Sequence, residues 1–216
     1  MRNGSWPLVT VDIDGTLTTV HGWKVIARML GRSGAFDRTQ REYYAKAIGE
    51  DQHLENMLRV AEGRPLAEVE AALEATPRLE GISEGVAFLR SLGARVALLT
   101  HNPTYVCAWY VRRFGFDDYE GVPGQSVVDG VIGSPHGIRA DKPAGLERLV
   151  ARARTNRAGV VHVGDGWADA ALFPRVGRGV ALNSALDEVN RAADLAISAS
   201  SFAEVARRIA ALGPRP

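Results

Sequence analysis

Apolar residues along this chain recur in two rhythms, and their alternation sets its outline. Short continuous runs read as strands buried on both faces: Leu8-Val9-Thr10-Val11, 95–100 (RVALLT), 159–163 (GVVHV), 179–182 and 195–197. Between the later runs, apolar positions fall three or four apart, which predicts helices over 83–92, 103–114, 142–154, 168–173, 185–192 and 202–212. Segment 116–140 is rich in Gly, Asp and Pro, with only brief β-like pieces at 126–128 and 130–132. From His21 to about Thr76 the rhythm is helical alone, over 23–30, 37–48, 51–62 and 66–75, with breakers at Gly31, Gly34, Gly49, Gly63 and Pro65. The expected fold is α/β: a Rossmann-like parallel sheet with helices on both faces, plus a small α-helical cap inserted after the first strand. The α/β core is expected over 1–17 and 80–216, and the cap over 18–79.

Composition narrows this picture without redirecting it. At 216 residues, 46% hydrophobic and 24% charged, with a formal net charge of +1, the chain suits a globular protein and gives no reason to expect a nucleic-acid or anionic-membrane partner. The lone cysteine, Cys107, excludes an internal disulfide framework. Met1–Trp6 is too short and polar for a secretory leader, and no run approaches the ~18 apolar residues of a membrane span. A cytoplasmic protein is expected. Among 26 basic residues only Lys24, Lys46 and Lys142 are lysines, which makes each worth asking about.

The chemistry begins where the first strand ends, at Asp12-Ile13-Asp14-Gly15-Thr16. Two carboxylates this close repel one another unless a cation or a shared proton intervenes. Ligands of open α/β sheets bind at the carboxyl ends of the strands, so the polar residues at the other strand ends belong to the same reading. They are Thr100-His101-Asn102, Asp141-Lys142-Pro143 and Gly164-Asp165-Gly166-Trp167-Ala168-Asp169. A lysine at a helix start is opposed by the helix dipole, so Lys142 asks for an anionic partner. His162 and Cys107 read as packed core residues, and Trp109 and Tyr110 as helix packing.

Four segments in order, VDIDGTLT, ALLTHN, DKP and VVHVGDGWADAALF, resemble the haloacid dehalogenase-like phosphohydrolases, and more narrowly their phosphoserine-phosphatase-like branch with a small helical cap. The resemblance spans 8–18 and roughly 81–212. It implies phosphoryl transfer with Asp12 as the nucleophile that forms an aspartyl-phosphate and Asp14 as the acid and base. Thr100 would hold the phosphoryl oxygens and Lys142 would offset their charge. Gly15, Thr16, His21, His101 and Asn102 would line the substrate and phosphate site. The implied cofactor is Mg²⁺, held by Asp12, Asp165, the backbone carbonyl of Asp14 and, in support, Asp169.

The departures from that branch fall on substrate-facing positions. His101-Asn102 replaces a Gly-Gly pair, His21 stands where a Glu holds the substrate amine, and Ala168 replaces an Asn. Arg59 is offset from the cap arginine that meets a substrate carboxylate. The reaction is therefore expected to be kept on a small phosphorylated metabolite other than phosphoserine. A phosphomutase of the same superfamily and a non-catalytic protein of this fold are the alternatives. The helical insertion could serve as cap, as the surface of a homodimer, or both.

Overall fold

The computed structural model describes residues 6–213. Its main sheet is β1 (Leu8–Val11), β2 (Arg95–Pro103), β3 (Asp118–Val122), β6 (Val160–Gly164), β7 (Arg178–Leu182) and β8 (Leu195–Ile197), in the order β3-β2-β1-β6-β7-β8. Every pairing in it is parallel. The chain starts at the centre, builds outward to β3, then crosses back over β1 to β6. That reversal opens a crevice at the carboxyl ends of β1 and β6.

Each central strand sends alternate residues to opposite faces, as a period of two requires. Val9, Val11, Val96, Leu98, Val161, Val163, Val180 and Leu182 join the larger core. It is shared with α5 (Ile82–Ser91), α6 (Thr104–Phe114) and α10 (Phe202–Ala211). Leu8, Ala97, Leu99 and Val160 pack with Leu146, Leu149 and Val150 of α7 (Lys142–Arg152) on the other face. The first residue of α7 therefore lies at the crevice on that second face. α8 (Trp167–Ala170) follows β6, and α9 (Asp187–Ala192) follows β7.

Four helices lie between β1 and α5: α1 (Gly22–Met29), α2 (Ser33–Tyr44), α3 (Glu50–Leu58) and α4 (Leu66–Ala75). The two connections run side by side, with Thr19 N–H donating to Pro77 O (3.0 Å) and Leu79 N–H to Leu17 O (2.9 Å). A small hairpin of β4 (Val127–Val128) and β5 (Val131–Ile132) props the helical layer up. Gly63 N–H donates to Ile132 O (2.8 Å), and Leu66 N–H to Gly130 O (2.8 Å).

Three expectations need correction. Strand β3 lies inside a segment read only as turns and short pieces. Its Asp118 and Glu120 are satisfied by an arginine ladder, with Arg152 Nε 2.9 Å from Asp118 Oδ2 and Arg148 Nε 2.8 Å from Glu120 Oε2, so an edge strand tolerates them. Helix α2 begins at Ser33 and ends at Tyr44, a turn earlier than expected at both ends. Gly34 falls in its first turn, where glycine costs little, and Lys46 takes a left-handed conformation (φ 56°) that stops it. The helix expected over 168–173 is one turn of α8 followed by a separate 3-10 turn at Phe173–Arg175.

Candidate active site

Asp12 continues β1 by one residue, its N–H donating to Val163 O (2.9 Å). Leu8, Thr10 and Asp12 thus succeed one another on the face covered by α7. Asp141 caps that helix by accepting from Ala144 N–H (2.9 Å), which sets Lys142 at its first turn. The buried Lys142 ammonium lies 3.0 Å from Asp12 Oδ1 and 2.6 Å from Asp169 Oδ1. Here is the anionic partner that a lysine at a helix N-terminus demanded.

Asp169 is saturated. Lys142 Nζ and His162 Nε2 (2.9 Å) share its Oδ1, and the backbone N–H groups of Asp165 (3.2 Å) and Gly166 (3.0 Å) donate to its Oδ2. Because a carboxylate only accepts, His162 Nε2 carries the hydrogen, and Nδ1 accepts from the Thr10 hydroxyl (2.9 Å). His162 is packed in the core as expected, yet it also anchors a site residue. The signal was available in the alternation of β6, since a polar residue facing inward needs a partner.

Asp14 points elsewhere. Its Oδ1 accepts from Gly22 N–H at the start of α1 (2.5 Å), and its Oδ2 from Asn102 Nδ2 (2.8 Å). Asn102 bridges outward, donating also to Thr100 Oγ1 (3.1 Å) and accepting from the Trp23 indole (2.9 Å). His21 precedes α1 without capping it, and its Nδ1 stands 3.7 Å from Asp14 Oδ1. His101 Nδ1 lies 3.6 Å from Glu50 Oε1 of α3.

Asp165 accepts from the Thr16 hydroxyl (2.8 Å), and its carbonyl is held by the Ser184 hydroxyl (2.6 Å), a contact with no sequence signal. Gly15 has φ +79°, and a Cβ there would fall 2.1 Å from Asp165 Oδ2. At Gly164 a Cβ would fall 2.1 Å from Asp169 Cγ. The two carboxylates occupy space that only glycine leaves open.

The electrostatics separate the acids. Burial raises Asp12 above its ordinary value, against the pull of Lys142. Burial and then the charge of Asp12 raise Asp165 to about 7. Burial works against ionisation of Asp169 too, but Lys142 and His162 prevail and hold it well below the carboxylate range. Lys142 loses solvation as well, yet Asp12 and Asp169 keep it above its ordinary value. Asp12, Asp165 and Asp169 offer oxygens all within 4.8 Å of one another, with a single ammonium among them. Of these three crowded carboxylates Asp169 is already saturated, while Asp12 and Asp165, the latter pushed toward protonation, keep oxygens that fit a hard divalent cation.

These groups open into a cavity of about 490 Å³ between the sheet and the helical layer. Asp12, Asp14, Thr100, His101, Asn102, Lys142, Asp165 and Trp167 line it from below, and His21, Gln40, Tyr43, Tyr44, Glu50, His53 and Met57 from above. Arg59 is absent from this wall; it pairs with Glu55 (2.6 Å) and Glu62 (3.5 Å).

A doubly flanked parallel sheet with paired aspartates and a lysine at its switch point defines a hydrolase-type α/β protein. The family model of the haloacid dehalogenase-like hydrolases matches residues 6–177, and the chain belongs to that family. Phosphoserine phosphatase of Archaeoglobus fulgidus is 26% identical over 180 residues, covering 82% of this chain and 52% of its own length. The chain thus spans about half the length of that curated relative. A HAD family hydrolase of Salmonella enterica serovar Typhi shares the fold with TM-score 0.83 and 18% identity, covering 94% of this chain and 71% of that one. A phospho-aspartyl intermediate analogue of phosphoserine phosphatase superposes with TM-score 0.76 and 21% identity, over 94% and 99% of the two chains. Among the described residues, no helix is long and apolar enough to cross a membrane.

Proposed function

We propose that the protein is a Mg²⁺-dependent phosphomonoesterase acting on a small phosphorylated metabolite through an aspartyl-phosphate on Asp12. One observation carries the reading: Asp12 is bound to Lys142 while Asp14, two residues on, is bound to Asn102 and Gly22, so neighbouring acids have different partners and different work. Asp12 Oδ attacks phosphorus and the P–O bond to the alcohol breaks, its electron pair leaving with the alkoxide. Asp14 gives that oxygen a proton, then takes one from the water that attacks the aspartyl-phosphate, releasing phosphate and regenerating Asp12. Lys142 offsets charge on the phosphoryl oxygens, with the Thr100 hydroxyl beside them. Asn102 and Gly22 N–H orient Asp14 toward the leaving group. Asp12 and Asp165, with the Asp14 carbonyl, would hold the metal. Asp169 braces Lys142 and the turn before α8. When bound, the cation supplies positive charge against the phosphoryl group.

The relatives named above support this reading, and so does the cap-side cavity, whose size admits a small metabolite. The test is phosphate release from p-nitrophenyl phosphate. It should need Mg²⁺, stop with EDTA and disappear in Asp12→Asn; turnover surviving both treatments overturns the mechanism.

A further inference from the structure

The two ends of the cavity differ in charge. At its floor, Lys142 is the only lysine or arginine among the described lining residues, and both of its neighbours are carboxylates. Beyond the phosphate, no second lysine or arginine of the described lining is left to pair with another anion on the leaving group. At the upper wall the charged group is Glu50, in the first turn of α3. Its one close partner in the cavity, His101, is kept neutral by burial and by Lys142, its pKa held down at about 3. Among the described residues no lysine or arginine forms an ion pair with Glu50, and burial and the neighbouring Asp51 raise its pKa above the ordinary value, so a cation arriving there would stabilise its charge.

Around that anion the wall is aromatic. Tyr43 and Tyr44 end α2 with ring centroids 5.9 Å apart, and Tyr43 stacks on His53 at 4.4 Å. Trp167 closes the opposite side and is half exposed, its indole tied only at the edge to Glu188 (3.3 Å). Three polar atoms of the lining, His21 Nδ1, Gln40 Nε2 and His101 Nε2, are buried without a hydrogen-bond partner. A carboxylate set beside aromatic rings is the arrangement that receives an organic ammonium ion. These groups bring no cationic side chain to a carboxylate or a second phosphate.

We propose that the preferred substrates are monoesters of short ammonium-bearing alcohols, with the cationic head between Glu50 and the Tyr43–Tyr44–Trp167 wall. This rests on the phosphatase reading above. Amino-alcohol and quaternary-ammonium esters share the chemistry, and the test separates them.

The experiment compares kcat/KM of the Mg²⁺-loaded protein for phosphocholine, O-phosphoethanolamine, the neutral isostere 3,3-dimethylbutyl phosphate, O-phosphoserine and p-nitrophenyl phosphate. At least one ammonium ester should exceed the neutral isostere by about tenfold, and O-phosphoethanolamine should exceed O-phosphoserine. Glu50→Gln should bring the ammonium-to-neutral ratio to within about threefold. Tyr44→Leu, at an exposed position, should lower it most for phosphocholine. Hydrolysis of p-nitrophenyl phosphate with no ammonium preference, or with a preference that Glu50→Gln and Tyr44→Leu leave intact, overturns this proposal alone. No hydrolysis of any ester overturns the phosphatase reading and this proposal with it.

Discussion

His162 and Asp169 are joined inside the core, the ring Nε2 donating to the carboxylate across 2.9 Å with both side chains buried. The same oxygen receives Lys142, so the histidine holds the post against which the Lys142 ammonium rests. Removing it leaves a buried carboxylate one donor short and a cavity beside Phe173. His162→Ala should destabilise the fold by about 2–4 kcal/mol in urea unfolding. Phosphatase activity should fall less than in Asp12→Asn, because Lys142 still reaches Asp12.

The division of labour between Asp12 and Asp14 predicts different kinetic failures. A nitrophenolate leaves without a proton, so Asp14→Asn should still form the aspartyl-phosphate from p-nitrophenyl phosphate. The second step then lacks its base. Rapid mixing should show a burst of nitrophenolate close to one per protein followed by slow turnover. Alkyl esters, whose leaving oxygen needs the proton, should show neither phase.

Lys142 neutralises two buried carboxylates at once. Lys142→Met strands both. Denaturation without metal should show a loss of about 3–5 kcal/mol, the cost of leaving a buried charge unpaired. Added Mg²⁺ should recover part of it, since the cation can take up the same charges.

Metal binding should register as stability even without substrate. A ligand bound only by the folded state stabilises by RT ln(1 + [L]/Kd), so saturating Mg²⁺ should raise Tm in a thermal melt. Asp165→Asn should abolish that rise while leaving the metal-free Tm equal or higher, because burial and Asp12 already oppose its ionisation.

His101 predicts a pH effect of definite sign. Its folded pKa, about 3, lies below the ordinary 6.5, so the unfolded chain binds the extra proton first. Its contribution is complete above about pH 6.5 and is lost as pH falls toward 3, by up to about 1.4 kcal/mol per unit. His53, lowered chiefly by burial, adds to the same trend. Asp165, raised to about 7, works in the opposite sense over the same interval, so the readout is the difference between variants: from pH 7 to pH 5 the Tm of His101→Gln should fall less, or rise more, than that of the parent chain.

The parts of this architecture that were legible in sequence are those under strict local rules. The strands from Leu8, Arg95 and Val160 show as unbroken apolar runs because both faces are covered, and the chemical residues fall where such strands end. Strand β3 was not legible, since an edge strand can carry Asp118 and Glu120 whenever arginines from α7 happen to face it. The partners of Asp169 were only half legible. Lys142 announces its need for an anion, but whether Asp169 meets metal or lysine depends on how α7 lies across the sheet. The helical wall of the cavity was least legible of all: Tyr43, Tyr44 and Glu50 carry no spacing rule, and only the fold of α2 against α3 turns them toward the cavity.

The two glycines at the carboxylates, Gly15 and Gly164, give the site a failure mode that no inventory of its acids would detect. Alanine at either would drive a methyl into Asp165 or Asp169 while every proton donor, nucleophile and cation stayed in the sequence. Such a chain would read as competent and yet be unable to assemble its charges. In this chain, the atoms withheld at those two strand ends shape the site as much as the aspartates displayed beside them.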